Sequence, residues 1–258
     1  FGKPGTADGT MITTSTITGG ELSVGSIVQT STGSSYVLGD MSANATRRDG
    51  RNKRVRAAGA IHSIQKADEG GELSRQLATH GLAFSCGGAD TGGREASKLL
   101  EASFASGVDS SVVGLTGHYR QAERIVLSRD DGQVVAAAVV KLHSEHSTIE
   151  LPIFAAAKVC RRQGYGSVLA ALIGAIGNRL GVTVLVASAT DESRGFWVRQ
   201  GFHASSFCQS HVRSAMRHLE QAGLLRGFSN STLLARAIGP GSQADEAMEG
   251  ALDRCGTE

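Results

Sequence analysis

The sequence predicts an α/β chain, and three observations carry that prediction. From residue 94 onward, segments of helical spacing alternate with segments of strand character. Gln133 to Leu142 is almost continuously apolar, through Val134, Val135, Ala136 to Ala138, Val139 and Val140, as expected of a central strand covered on both faces. Gly166 to Leu180 sets Val168, Leu169, Leu172, Ile173 and Ile176 on one stripe, and Gly181 follows where a C′ glycine belongs.

The other elements follow in chain order. Residues 1 to about 35 are rich in Gly, Thr and Ser and read as flexible chain. Within them, the weak alternation of Leu22 to Val28 predicts a short strand or hairpin arm, with Tyr36-Val37-Leu38 as the second arm. Ala60 to Ile64 reads as a strand, Glu72 to His80 as an amphipathic helix closed by Gly81, and Cys86 to Gly93 as a glycine-rich linker. Arg94 to Ala105 places Ala96, Leu99, Leu100 and Phe104 at helical spacing. Arg124 to Leu127 and Gln133 to Leu142 pair as strands about the turn Arg129-Asp130-Asp131-Gly132. A polar turn from His143 to Ser147 leads into the strand Thr148 to Phe154. Val182 to Ala187 is a buried strand, Asp191 to Gln200 a helix stopped by Gly201, Gln209 to Ala222 a helix, and Ser231 to Ile238 a last strand. The tail from Gly239 is polar, glycine-rich and read as mobile.

At 258 residues the chain can hold one good-sized core with an appendage, or two small domains. A net charge of +2 sets up no global field that would dictate a nucleic-acid or membrane partner. The charge is uneven, however: Arg47, Arg48, Arg51, Lys53, Arg54 and Arg56 lie within ten residues. That run reads first as a solvated loop, with a nuclear-import or nucleic-acid patch as the sharper alternative. Cys86, Cys160, Cys208 and Cys255 are far apart and form no CxxC pair, which argues against a zinc finger or disulfide framework and fits a reducing compartment. No apolar run approaches transmembrane length and nothing resembles a secretory core. The chain begins with Phe1, as a fragment or a processed chain would.

The chemistry concentrates between Thr148 and Gly166. Alternation in a strand sends Ile149, Leu151 and Ile153 one way and Glu150, Pro152 and Phe154 the other. A carboxylate taken out of water favours its protonated form, which suits a group that must accept a proton near neutral pH. Pro152 cannot donate to a ladder and marks an edge or a bulge. Arg161-Arg162-Gln163-Gly164-Tyr165-Gly166 then forms a basic glycine turn that opens a helix. Backbone N–H groups and the helix macrodipole favour an anion there. Either feature alone is common; the order and spacing of the two are not.

That turn matches Q/R-x-x-G-x-G/A, the acyl-CoA motif of the Gcn5-related N-acetyltransferases, and here the chain resembles that family. Phe196-Trp197-Val198-Arg199-Gln200-Gly201-Phe202 is similar to the family's second hallmark, F-Y-x-x-x-G-F. In Gcn5-type histone acetyltransferases the catalytic glutamate precedes the first motif glycine by fourteen positions, as Glu150 precedes Gly164. Glu150-Leu151-Pro152 and the segment Gly227 to Leu234 resemble the acetyltransferase domains of plant nuclear PHD-finger proteins, although the PHD cysteines are absent. A divergent chromatin or kinetochore acetyltransferase, like that of kinetoplastid kinetochores, is similar to this mixture.

The resemblance spans about residues 94 to 238 and implies a mixed, mostly antiparallel central sheet flanked by helices. With the composition of its ends, the chain reads as a partly flexible appendage with short strands and the basic run (1–90), the acetyltransferase domain (91–240) and a mobile tail (241–258). The resemblance implies acetyl-CoA as cofactor, Glu150 as base, and a cofactor site of Ile153, Phe154, Ala155, Arg161, Arg162, Gln163, Gly164, Tyr165, Gly166, Ser167, Phe196 and Trp197. The Phe154 N–H would polarise the acetyl carbonyl. Trp197 replaces the tyrosine that serves many members as general acid, and Thr190 stands where a cofactor-contacting Asn is common. Both departures favour a scheme with a glutamate base and no dedicated acid. The expected activity is lysine acetylation of a histone or other chromatin protein in the nucleus, with nucleic acid contact through Arg47 to Arg56 and no membrane. The alternatives are a small-amine acetyltransferase and a catalytically silent binding module.

Three further groups have weaker readings. His143, Glu145 and His146 suggest a metal site, but fall on a turn and read better as a solvated loop, so no metal is expected. Cys160 adjoins a helix N-terminus, which activates thiols, yet packing is the safer role. Tyr165 belongs at the pocket edge, with its backbone mattering more than its ring.

Overall fold

In the computed structural model the described residues are 67–87, 91–104, 122–225, 230–239 and 242–255, with the backbone course of 17–19, 27–30 and 35–37. The chain divides into two units, Phe1–Arg54 and Val55–Glu258. The larger unit's sheet takes its first strand from Leu82–Gly87, ahead of residue 90.

The first unit contains a three-stranded antiparallel sheet of β1 (Ile17–Gly19), β2 (Ile27–Thr30) and β3 (Ser35–Val37), in that order. Two arms were expected; β1 is an addition, in a Thr-rich stretch without apolar alternation. The basic run Arg47–Arg56 and the strand expected at Ala60–Ile64 lie outside the described residues.

The second unit is built on a seven-stranded sheet. Its elements are α1 (Glu72–Ala78), β4 (Leu82–Gly87), α2 (Gly93–Phe104), β5 (Glu123–Arg129), β6 (Val134–His143), β7 (Thr148–Ala156), α3 (Tyr165–Arg179), β8 (Val184–Thr190), α4 (Asp191–Arg199), β9 (His203–Ala204), α5 (Ser210–Gln221), β10 (Ser231–Ala237) and α6 (Ser242–Asp253). The strand order is β4-β5-β6-β7-β8-β10-β9, antiparallel at every step except the parallel pair β7–β8, which α3 connects. The α/β, mostly antiparallel class expected from the sequence is the class observed.

Two elements correct the reading. Cys86 and Gly87 belong to β4 and pair with Ile125 and Arg124, so the expected linker begins later. The signal was Leu82, Phe84 and Cys86 at period two, masked by the glycines that follow. The tail expected to be mobile forms α6, which packs on α3 and buries Met248, Ala251 and Leu252. In a polar segment, three apolar residues at helical spacing were enough.

α3 is buried along ten consecutive residues, Val168 to Gly177, and covers one face of the sheet. Each buried Leu, Ile or Val there contributes about 1.5–3 kcal/mol. Its glycines permit close approach: a Cβ on Gly174 would stand 2.7 Å from Arg236 Nη2, and one on Gly177 would stand 2.9 Å from Ile238 Cδ1. On the opposite face, α2 covers Val126, Val139, Ile153 and Ala155, while α5 covers Val184, Val186 and Ala235. Among the described residues no helix is long and apolar enough to cross a membrane.

Candidate active site

The site begins with an irregularity in β7. Val139 pairs with Ile153 and Lys141 with Glu150, so Val140 alone opposes Leu151 and Pro152. This is a β-bulge, at the proline that cannot donate to the ladder. The extra residue reverses the alternation downstream. Ile149, Leu151 and Phe154 face α3, whereas Ile153 joins the cluster beneath α2. Pairing with Lys141 puts Glu150 on that second face as well. The expected grouping of Ile153 with Ile149, and of Phe154 with Glu150, is overturned by the bulge.

β7 also parts from β8. Their parallel pairing runs from Thr148↔Val184 to Leu151↔Ala187 and goes no further. Past that point a cleft of about 1120 Å³ opens, with Phe154, Ala155 and Ala156 on one wall and Ser188 and Thr190 on the other. At its mouth stands the basic turn. Gly164 caps α3 with φ +85°, and Arg162 has φ +68°, a conformation that costs a non-glycine residue about 1–3 kcal/mol. A Cβ on Gly164 would lie 3.1 Å from Cys255 Cα. Bonding within α3 starts with Val168 N–H donating to Gly164 C=O at 3.0 Å, so the N–H groups of Tyr165, Gly166 and Ser167 lie ahead of the helix's own ladder.

Of the residues expected to hold a cofactor, Phe154, Ala155, Arg161, Arg162, Gly164, Tyr165, Gly166, Ser167, Phe196 and Trp197 line this cleft. Ile153 and Gln163 are not among its lining residues, and Ile153 is buried beneath α2. Ser167 Oγ accepts a 3.0 Å bond from Gln200 Nε2, and Arg236 Nη1 donates to Gln200 C=O at 3.0 Å, tying α3, α4 and β10 together. Phe154, Phe196, Trp197 and Phe202 form an aromatic cluster with centroids 4.9–5.6 Å apart. Trp197 is buried and offers no acid at the tyrosine position.

Sequence reasoning missed Ser188, Ser193, Arg199 and Asn230 on the lining, which the fold alone assembles. Asp191 and Glu192 also line it, in the first turn of α4. Thr190, noted as a missing cofactor contact, has another task. It caps α4 reciprocally, receiving Ser193 N–H at 3.3 Å and donating its own N–H to Ser193 Oγ at 2.9 Å.

Glu150 is 1% exposed and lies off the cleft lining. It is not the isolated carboxylate the strand pattern suggests. His143 Nε2 stands 2.9 Å from Glu150 Oε2, and Lys141 Nζ stands 3.9 Å from the same oxygen. Lys141 Nζ also donates to Leu224 C=O at 3.2 Å. His143 is therefore the buried end of β6 rather than part of a solvated turn; only Ser144–His146 make that turn. Among the described residues, no group of three His, Cys, Asp or Glu could hold a metal.

A second buried carboxyl lies on β5. Glu123 is 5% exposed, neither oxygen has a hydrogen-bond partner, and burial pushes its pKa up to about 7. Pairing with Val140 places it on the α3 face, opposite to Glu150.

The mixed sheet and its flanking helices share the fold of solved N-acetyltransferase structures. The structure of Tetrahymena Gcn5 matches with a TM-score of 0.51 at 14% identity, covering 62% of this chain and 98% of that one. The catalytic domain of Tetrahymena Gcn5 histone acetyltransferase in complex with coenzyme A gives 0.48 at 15%, covering 63% and 96%. The ribosomal-protein-S18-alanine N-acetyltransferase of Escherichia coli gives 0.42 at 14%, covering 62% and 97%. A family model described as Increased DNA methylation 1, C-terminal domain, matches residues 112–233, just under half of the chain. Among curated proteins, none matches the sequence.

Proposed function

We propose that this chain is an acetyl-CoA-dependent protein lysine N-acetyltransferase acting on a histone or another chromatin protein in the nucleus. The observation that carries the reading is the splay of β7 from β8, with a glycine-capped helix N-terminus at its mouth and a buried carboxylate just before the bulge. The chromatin assignment is supported by the family model that matches residues 112–233.

The cleft fits acetyl-CoA. Its volume matches or exceeds the usual ligand pocket of about 300–1,000 Å³. Its mouth offers the N–H groups of Tyr165, Gly166 and Ser167 beside the exposed Arg161 and Arg162, a donor set for a pyrophosphate. Bound acetyl-CoA would supply a thioester whose acetyl carbon accepts the amine; the C–S bond breaks, and coenzyme A leaves as its thiol with the proton that the nitrogen gives up. The Phe154 N–H, beyond the last β7–β8 pair, is the proposed donor to the acetyl oxygen. Glu150 takes the proton of the lysine ammonium, directly or through one water, because only the neutral amine attacks. Since Glu150 and Phe154 occupy opposite faces of β7, the lysine enters from the α2–α5 side and meets the acetyl group at the splay.

The test is acetyl transfer to histone peptides, with polyamines and amino sugars as competing acceptors. Peptide acetylation that falls about 10²- to 10⁴-fold in Glu150→Gln supports the reading. Preference for free amines would move the chain to the small-amine class. Absence of acetyl-CoA binding by calorimetry would make it a binding module.

A further inference from the structure

We infer that His143 is the positioning residue for Glu150, an assignment that rests on the acetyl-transfer reading above. The pair is built into the regular part of the sheet. Lys141↔Glu150 and His143↔Thr148 are in register, and the bulge comes only afterwards. The carboxylate is thus fixed on the ordered side of the irregularity that opens the cleft.

Both side chains are almost wholly buried, at 5% for His143 and 2% for Glu150, and their contact is 2.9 Å. A carboxylate in such a place needs donors, because an unpaired one costs several kcal/mol. In the base reading Glu150 is a carboxylate, and the contact then requires the donor to be on the imidazole. A neutral imidazole with its proton on Nε2 donates to Oε2; with its proton on Nδ1 it would set two lone pairs against each other. His143 then donates a charge-assisted bond that holds one oxygen of Glu150 in place. Lys141, a cation that also faces Glu150, stands 3.9 Å away and donates to Leu224 C=O. It contributes charge, while His143 supplies the short, directed bond.

Three substitutions test the inference in the full chain. His143→Gln keeps a donor where Nε2 lies; His143→Asn moves it back to the Nδ1 position; His143→Phe keeps the ring volume and donates nothing. Thermal unfolding establishes that each variant is folded. In His143→Asn and His143→Phe, kcat falls about 10- to 100-fold with the KM for acetyl-CoA unchanged. His143→Gln recovers most of the rate. Wild-type kcat in folded His143→Asn overturns the inference, as does a His143→Gln no better than His143→Asn. Glu150→Gln separates the two claims. If it is inactive while His143→Asn is normal, only the positioning role fails; if it is fully active, the base reading fails.

Discussion

Two buried carboxyl groups lie on opposite faces of this sheet, and their surroundings differ sharply. Glu150 on β7 faces the α2–α5 side, bonded to His143 and near Lys141. Glu123 on β5 faces α3, beside Cys86, with no hydrogen-bond partner for either oxygen. Burial pushes the pKa of Glu123 up to about 7. By that criterion alone Glu123 would look like the base. Glu150 is the proposed base because it adjoins the bulge and the splay, whereas Glu123 lies on the face that packs against the α3-side core. Burial shifts a carboxyl group; placement and partners make it useful.

The largest effect that separates them is on stability against pH. Below about pH 4.5 Glu123 is protonated in both folded and unfolded chains. Between there and about pH 7 the folded chain keeps a proton that the unfolded chain has lost. Stability therefore falls as pH rises through that window, and the deficit is fully present above it. Glu123→Gln removes the deficit, which is on the order of 3 kcal/mol at pH 8. Urea denaturation at pH 5 and pH 8 should show the variant gaining on wild type only at the higher pH, with acetyl transfer retained. An equal difference at both pH values, or lost transfer, would erase the distinction.

Gly164→Ala comes next and probes the backbone half of the site. The left-handed conformation costs a residue with a Cβ about 1–2 kcal/mol, and the added atom meets Cys255 Cα at 3.1 Å. Affinity for acetyl-CoA, read by calorimetry, should fall at least about tenfold as the N–H groups shift. Thr190→Ala has the smallest effect. Losing the α4 cap lowers stability by about 1 kcal/mol in a thermal melt, with KM for acetyl-CoA nearly unchanged. A large rise in KM would make Thr190 a cofactor contact after all.

The comparison also explains what the sequence could disclose. The glycine turn was legible because its chemistry is local: Gly164 must adopt a positive φ, and the helix behind it has a clear stripe. Glu150 was legible as a residue, but its surroundings were not. His143 and Lys141 reach it across a strand pair, and only the register brings them there. Pro152 announced the bulge, yet a bulge reverses every face after it, so the strand pattern misplaced Ile153 and Phe154. β9 has two residues and no pattern to detect. α6 hid in a polar tail because three buried residues sufficed to dock it.

The central claim is that Glu150 is the base of an acetyl transfer carried out in the β7–β8 splay. Single-turnover transfer from prebound acetyl-CoA to a lysine peptide, followed from pH 6 to pH 10 in wild type and Glu150→Gln, tests it most directly. The account predicts that the variant binds acetyl-CoA normally and loses about 10²- to 10⁴-fold in rate at neutral pH. It also predicts partial recovery at high pH, where the free amine needs no base. An equal rate for both proteins at neutral pH would contradict it.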